Sequence, residues 1–171
     1  MKTSLIVKTG DITKEPVDVI VNAANTYLMP GGGVCGAIHR AAGIELAVEC
    51  KNFGGGQTGN AYLTKAYKLP SKWVIHAIGP KWTGGNNNEP ELLASAYRKS
   101  LEEAVKVGAK TIAFPAISTG HYNFPVDQAT RIAISTVNNF IQECSDLDEI
   151  RLICFNDEFT NYYNEIIKSL S

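Results

Sequence analysis

The sequence predicts an α/β fold with a largely parallel sheet covered by helices on both faces. Three observations carry this. Short β-branched runs alternate with amphipathic helical stretches along the chain, the pattern of strands joined by helical crossovers. The length of 171 residues and an apolar content of 44% suit one domain with one core and argue against disorder. No linker or internal repeat divides the chain, so residues 1–171 are read as a single domain.

In order, residues 4–8 (SLIVK) are a first strand, broken by Gly10. Residues 17–21 (VDVIV) are a second, ending at Asn22. Residues 34–42 follow a glycine run and read as a helix, with Gly43 as its stop. Residues 60–64 and 73–78 (WVIHAI) are further strands, with Thr58-Gly59 marking the start of the first of them. Residues 89–107 are the clearest helix: Leu92, Leu93, Ala96, Leu101, Ala104 and Val105 fall at helical spacing, and Gly108 ends it. Residues 111–114 (TIAF) are a buried strand closed by Pro115. Residues 126–144 form a helix with an apolar face of Ile132, Ile134, Val137, Phe140 and Ile141. Residues 150–155 (IRLICF) are the last strand and 159–170 a terminal amphipathic helix. The stretch GGNNN at 84–88 is expected to be a mobile surface turn.

Lys plus Arg number 16 against 17 Asp plus Glu, a formal charge of −1. This gives no electrostatic case for nucleic acid or an acidic membrane as partner. No apolar stretch approaches the ~20 residues that span a bilayer, and the N-terminus lacks the apolar region of a signal peptide. Cys35, Cys50, Cys144 and Cys154 lie far apart with no C-x-x-C, which reads as reduced thiols rather than a disulfide framework or zinc site. A soluble, cytoplasmic monomer is expected. A chain opening at Met1 without a linker is expected to stand alone.

In parallel sheets, ligands sit beyond the carboxyl ends of the strands. That rule selects Gly10-Asp11, residues 22–36, residues 118–124 and Phe155-Asn156. The run Gly31-Gly32-Gly33-Val34-Cys35-Gly36 opens a helix, so free N–H groups and the positive dipole end face the loop, which suits phosphate. It is neither a P-loop nor a dinucleotide fingerprint, and alone it is also what a plain tight turn looks like. Ser118-Thr119-Gly120 is a second strand-end glycine loop with a helix behind it, and two such loops can hold a diphosphate from both sides. Tyr122 and Phe124 just beyond can cover a sugar, or pack as ordinary aromatics. Asp11 can accept from an adenine amino group or cap a turn; Phe155 can stack on a base or sit in the core. In Asn22-Ala23-Ala24-Asn25, an Asn amide can bridge a pair of ribose hydroxyls, or serve turn chemistry.

GDI at 10–12, VDVIVNAAN at 17–25, GGGVCGAIHRAAG at 31–43, WVIHAIGP at 73–80 and FPAISTGHYNFP at 114–125 together resemble the macrodomain family. The likeness is nearest its MacroD-like branch of ADP-ribosyl hydrolases and runs through essentially the whole chain in order. The resemblance implies a three-layer α/β/α fold with a mixed, largely parallel six-stranded sheet. It implies ADP-ribose and mono-ADP-ribosylated proteins as partners, with no metal or redox cofactor. Asp11 would hold the adenine amino group, with Ile12 touching the base by its backbone and Phe155 and Asn156 beside it. Gly32, Gly33, Val34, Ser118, Thr119, Gly120, His121 and Tyr122 would wrap the diphosphate. Asn25 would orient the distal ribose, with Tyr122, Cys35 and Gly33 shaping the reacting end. The implied reaction is hydrolysis of the ester between mono-ADP-ribose and Asp or Glu of proteins, and of O-acetyl-ADP-ribose. The alternative is a reader that binds without turnover.

The chain departs from that branch at one place. MacroD-like hydrolases usually read GGGVDG, and here Cys35 stands at the acidic position. Alphavirus macrodomains, which resemble this loop with a GVC version, also place Cys there. Cys35 near a helix N-terminus, with His39 four residues on, is also the spacing of a Cys–His nucleophile. His76 inside an apolar strand reads as a satisfied core histidine, and none of the three histidines is expected to form a metal pair.

Overall fold

The computed structural model describes residues 2–170. Six strands form one sheet: β1 (Ser4–Thr9), β2 (Val19–Ala23), β3 (Ala61–Lys65), β4 (Trp73–Ala77), β5 (Thr111–Phe114) and β6 (Glu149–Cys154). Their order is β1-β6-β5-β2-β4-β3, parallel everywhere except the β3–β4 pair. The helices are α1 (Gly33–Ala42), α2 (Ile44–Lys51), α3 (Glu89–Lys106), α4 (Val126–Glu143) and α5 (Asp157–Leu170). None among the described residues is long and apolar enough to cross a membrane.

Strand alternation sorts the core into two layers. Val19 and Val21 of β2, Ile75 of β4, Ile112 and Phe114 of β5 and Ile150 and Leu152 of β6 face the apolar sides of α3, α4 and α5. Ile20, Val74, Ala113 and Ile153 point the other way, toward Ile38 and Ala42 of α1 and Leu46 and Cys50 of α2. Two helices on one face and three on the other give the three-layer fold that the sequence predicts.

Most elements stand where the pattern puts them, with ends shifted by one or two residues. The helix α2 was not anticipated. Gly43, at φ 93, caps α1 and starts α2 at once, so two helices share one glycine. Exposed Ile44 and Val48 also hide the amphipathic signature of α2. The turn at 84–88 lies on the surface as the sequence predicts, and it has a centre that the sequence does not announce. Buried Glu89 accepts from the amides of Thr83 (2.8 Å), Gly85 (3.0 Å) and Asn87 (2.7 Å), which organise the turn around its carboxylate. Burial opposes that charge, but these amides hold the carboxyl down at about 2.

Candidate active site

The carboxyl ends of β2, β4 and β5 open onto a cleft of about 740 Å³, counting its mouth. Its walls are the loop after β2, the glycine loop into α1, Gly79 after β4 and the loop after β5. The structure therefore brings Asn25, Gly32, Gly33, Val34, Cys35, Ser118, Gly120, His121 and Tyr122 together, as the sequence predicts. The two glycine loops face each other: a Cβ on Gly32 would lie 3.6 Å from His121 Nε2.

No side chain among the described residues caps α1, and Gly36 N donates to Gly32 O at 3.2 Å. The first amides of α1, those of Gly33, Val34 and Cys35, have no helical acceptor, and all three residues line the cleft. Gly36 makes this loop possible, because a Cβ there would sit 2.4 Å from the Gly31 carbonyl oxygen. Gly79 plays the same part opposite: its Cβ would meet Ser118 Oγ at 2.2 Å. The sequence offers Gly79 only as a turn residue after a strand, so its place in the wall was missed. Ser118 holds φ 68, uncommon for a residue with a side chain, and its buried Oγ has no partner among the described residues.

Asn25 is already engaged. Its Oδ1 accepts from Tyr27 N at 3.1 Å and Met29 N at 3.3 Å, and its Nδ2 donates to Met29 O at 3.0 Å. The amide closes its own loop and keeps one N–H for a ligand. Leu28 in this loop is at φ 55 and fully buried, so the core pins a conformation that its backbone disfavours. Across the cleft, Trp82 N donates to Tyr122 O at 2.8 Å, and Lys81 Nζ lies 5.5 Å from the Tyr122 ring centre. Burial and neighbouring Cys35 push the Tyr122 phenol above its usual value, so it stays a neutral donor.

The two asparagines of NAAN part company. Asn22, still in β2, is fully buried and points away from the cleft, so it is not a ribose ligand. Its Nδ2 donates to His76 Nδ1 at 3.0 Å and to Cys35 Sγ at 3.6 Å. Cys35 Sγ in turn donates to Met29 O at 3.6 Å. No hydrogen bond links Cys35 to His39 among the described residues, so the sulfur answers to Asn22 rather than to an imidazole base.

His76 is the satisfied core histidine that the sequence predicts, but it has company there. Ligand-type atoms of His39, Cys50 and His76, all buried, lie within 4.8 Å of one another. The packing of α1 and α2 over β4 produces this cluster, and no spacing in the chain announces it. Burial, helped by Glu49 and Cys35, pushes the Cys50 thiol up to about 12, and burial with His39 holds His76 down at about 3. The cluster is thus a set of neutral groups, with His76 bonded to Thr64 Oγ1 at 2.9 Å.

Asp11, Ile12, Thr119, Phe155 and Asn156 are not in the wall of the cleft. Asp11 and Phe155 stand side by side past the ends of β1 and β6, where Gly10 N donates to Cys154 O at 2.9 Å. Asp11 Oδ1 accepts from the Thr13 hydroxyl (2.7 Å) and amide (3.0 Å), which hold its carboxyl below the usual range. Ile12 is buried beneath. Phe155 is 75% exposed, far from a core role, with its ring centre 4.8 Å from that of Phe159. Asn156 Oδ1 caps α5 through Phe159 N at 2.9 Å, and Thr119 Oγ1 donates to Ala116 O at 3.4 Å.

Residues 21–133 match the macro domain family. The chain is 51% identical to a macro domain-containing protein of Mesorhizobium japonicum, over 96% of this chain and 93% of that protein. It is 48% identical to an O-acetyl-ADP-ribose deacetylase of Escherichia fergusonii, over 98% and 97%. It superposes on a mutant Oceanobacillus iheyensis macrodomain with ADP-ribose at a TM-score of 0.94 and 40% identity, covering 99% of this chain and 94% of the other.

Proposed function

The chain belongs to the macro domain family, and from that premise we propose that it binds ADP-ribose and hydrolyses O-acetyl-ADP-ribose and the ester joining mono-ADP-ribose to Asp or Glu of proteins. The observation that carries this reading is a cleft lined by backbone, small residues, the Asn25 amide, the His121 imidazole and one phenol, with no Lys, Arg, Asp or Glu among the described residues of its wall. Opposed glycine loops and a helix N-terminus supply amide donors and a dipole, a fit for a diphosphate. With the diphosphate there, the adenine reaches the exposed Phe155 ring and the unused oxygen of Asp11. The distal ribose falls between Asn25, Cys35 and Tyr122.

The reacting end then works by placement. Asn25 offers its spare N–H to a ribose hydroxyl from a loop that its own amide has closed. Tyr122 walls the opposite side. A water held against the bent diphosphate reaches the ester at the distal ribose, and geometry of this kind lowers the barrier without a protein carboxylate. Cys35 shapes the pocket and serves neither as acid nor as nucleophile.

One observation favours a second reading, a reader without turnover: among the described residues, no carboxylate lines the wall to act as general base. Calorimetry with ADP-ribose, alongside turnover of O-acetyl-ADP-ribose and of a protein mono-ADP-ribosylated on Glu, separates the two. Binding that survives Cys35→Ala, with turnover lowered about tenfold but not abolished, is expected. Binding without turnover selects the reader, and absence of binding refutes both.

A further inference from the structure

We propose that Asn22 and His76 are positioning residues that hold Asn25 through Cys35. The inference rests on the hydrolase reading for its consequence in turnover, but not for its geometry. With the Asn22 nitrogen facing His76 and Cys35, the hydrogen bonds have one consistent direction and leave Asn22 Oδ1 without a partner among the described residues. An amide nitrogen only donates, so His76 Nδ1 must accept from Asn22 Nδ2, which puts the imidazole proton on Nε2. That proton goes to Thr64 Oγ1, whose own proton goes to Lys65 O at 3.0 Å. The second Asn22 N–H goes to Cys35 Sγ, and the thiol proton goes to Met29 O.

Met29 O is the junction. It accepts from Cys35 and also from Asn25 Nδ2 at 3.0 Å. A polar line thus runs from β3 through β4 and β2 to the first turn of α1, and ends on the loop that presents Asn25. The register of the sheet sets it, since Asn22 stands opposite His76 in the β2–β4 pair. Because His76 stays neutral, the directions persist through ordinary pH. The sulfur at position 35 is a strut here: it accepts from below and donates to the loop.

The test compares Asn22→Ala, the similarly sized Asn22→Asp, Cys35→Ala and the Asn22→Ala/Cys35→Ala double variant. Solvent-exchange NMR follows the Tyr27 and Met29 amides, which bond to Asn25 Oδ1. Amides of β1 serve as the global reference. In Asn22→Ala and in Cys35→Ala the two loop amides are expected to exchange about tenfold faster, with β1 unchanged. Adding Asn22→Ala to Cys35→Ala is expected to change them less than about twofold, since both act on one line. On O-acetyl-ADP-ribose, kcat is expected to fall about tenfold in Asn22→Ala while KM moves less than about twofold. Asn22→Asp, which has no N–H to donate, should behave like Asn22→Ala.

Equal acceleration by Asn22→Ala in both backgrounds would mean a general packing role and would overturn the proposal. So would loop amides undisturbed by Cys35→Ala, a variant that reports even if the Asn22 substitutions fail to fold. Wild-type protein that binds ADP-ribose without turnover would sink the hydrolase reading alone, and the exchange rates would still decide the strut.

Discussion

The two ends of the proposed ligand site are built on opposite principles. The distal end, around Asn25, Cys35 and Tyr122, is walled, and its ligand-facing amide is tied into a loop whose Leu28 is buried. The adenine end is a corner of two strand ends, where Phe155 is 75% exposed and Asp11 is held only by Thr13. A rigid end and an open end suit different tasks. Placement to within a fraction of an ångström matters where a bond breaks, whereas stacking on an exposed ring tolerates latitude. Affinity and turnover should therefore separate along the cleft.

The sharpest break of that comparison is Asn25→Ala. Turnover is expected to drop on the order of 10²-fold, while ADP-ribose affinity in calorimetry falls less than about tenfold. A parallel loss of both would mean that the two ends act as one. Phe155→Ala is the converse. Loss of a stacking ring is expected to weaken ADP-ribose binding by about 1–3 kcal/mol, with kcat at saturation unchanged. An unaltered Kd would move the base elsewhere.

Gly36→Ala probes the rigidity itself. The new methyl cannot share space with the Gly31 carbonyl at 2.4 Å, so the loop must shift. A stability loss of about 1–3 kcal/mol is expected in denaturant unfolding, with weaker ADP-ribose binding. The smallest effect comes from beneath the distal end. His76 is held at about 3 against an ordinary 6.5, so the unfolded chain takes up the proton first. Its contribution is full above about 6.5 and declines as pH falls toward about 3. Glu89, held at about 2 against 4.5, adds a second decline beginning lower. Unfolding curves of His76→Gln should lose the upper part of the slope and keep the lower. An unchanged slope would assign the upper window to other groups.

What could be read in the chain follows from how local each signal is. The glycine loop at 31–36 and the Ser118 loop are contiguous runs with helices behind them, so the turns that line the cleft are written in adjacent residues. Asn22 and Asn25 are the same residue type three positions apart. Only the place where β2 stops tells the buried one from the ligand-facing one. The bond from Asn22 to His76 spans 54 positions and exists only through the β2–β4 register, so spacing rules cannot see it. The cluster of His39, Cys50 and His76 is hidden in the same way. The helix α2 escaped because Gly43 is both an end and a beginning, and the centre of the turn at 84–88 because Glu89 looks like any other helical glutamate.

The uncharged wall of the cleft has a consequence for how a ligand arrives. A lysine or arginine pocket attracts an anion from a Debye length away, whereas amide dipoles act only near contact. With a formal charge of −1, the protein offers the incoming diphosphate little long-range attraction beyond that of Lys81 beside Tyr122. Encounter is then unsteered diffusion, with an association rate that changes little with ionic strength. Preference among competing nucleotides must be expressed after capture, in how long each one stays.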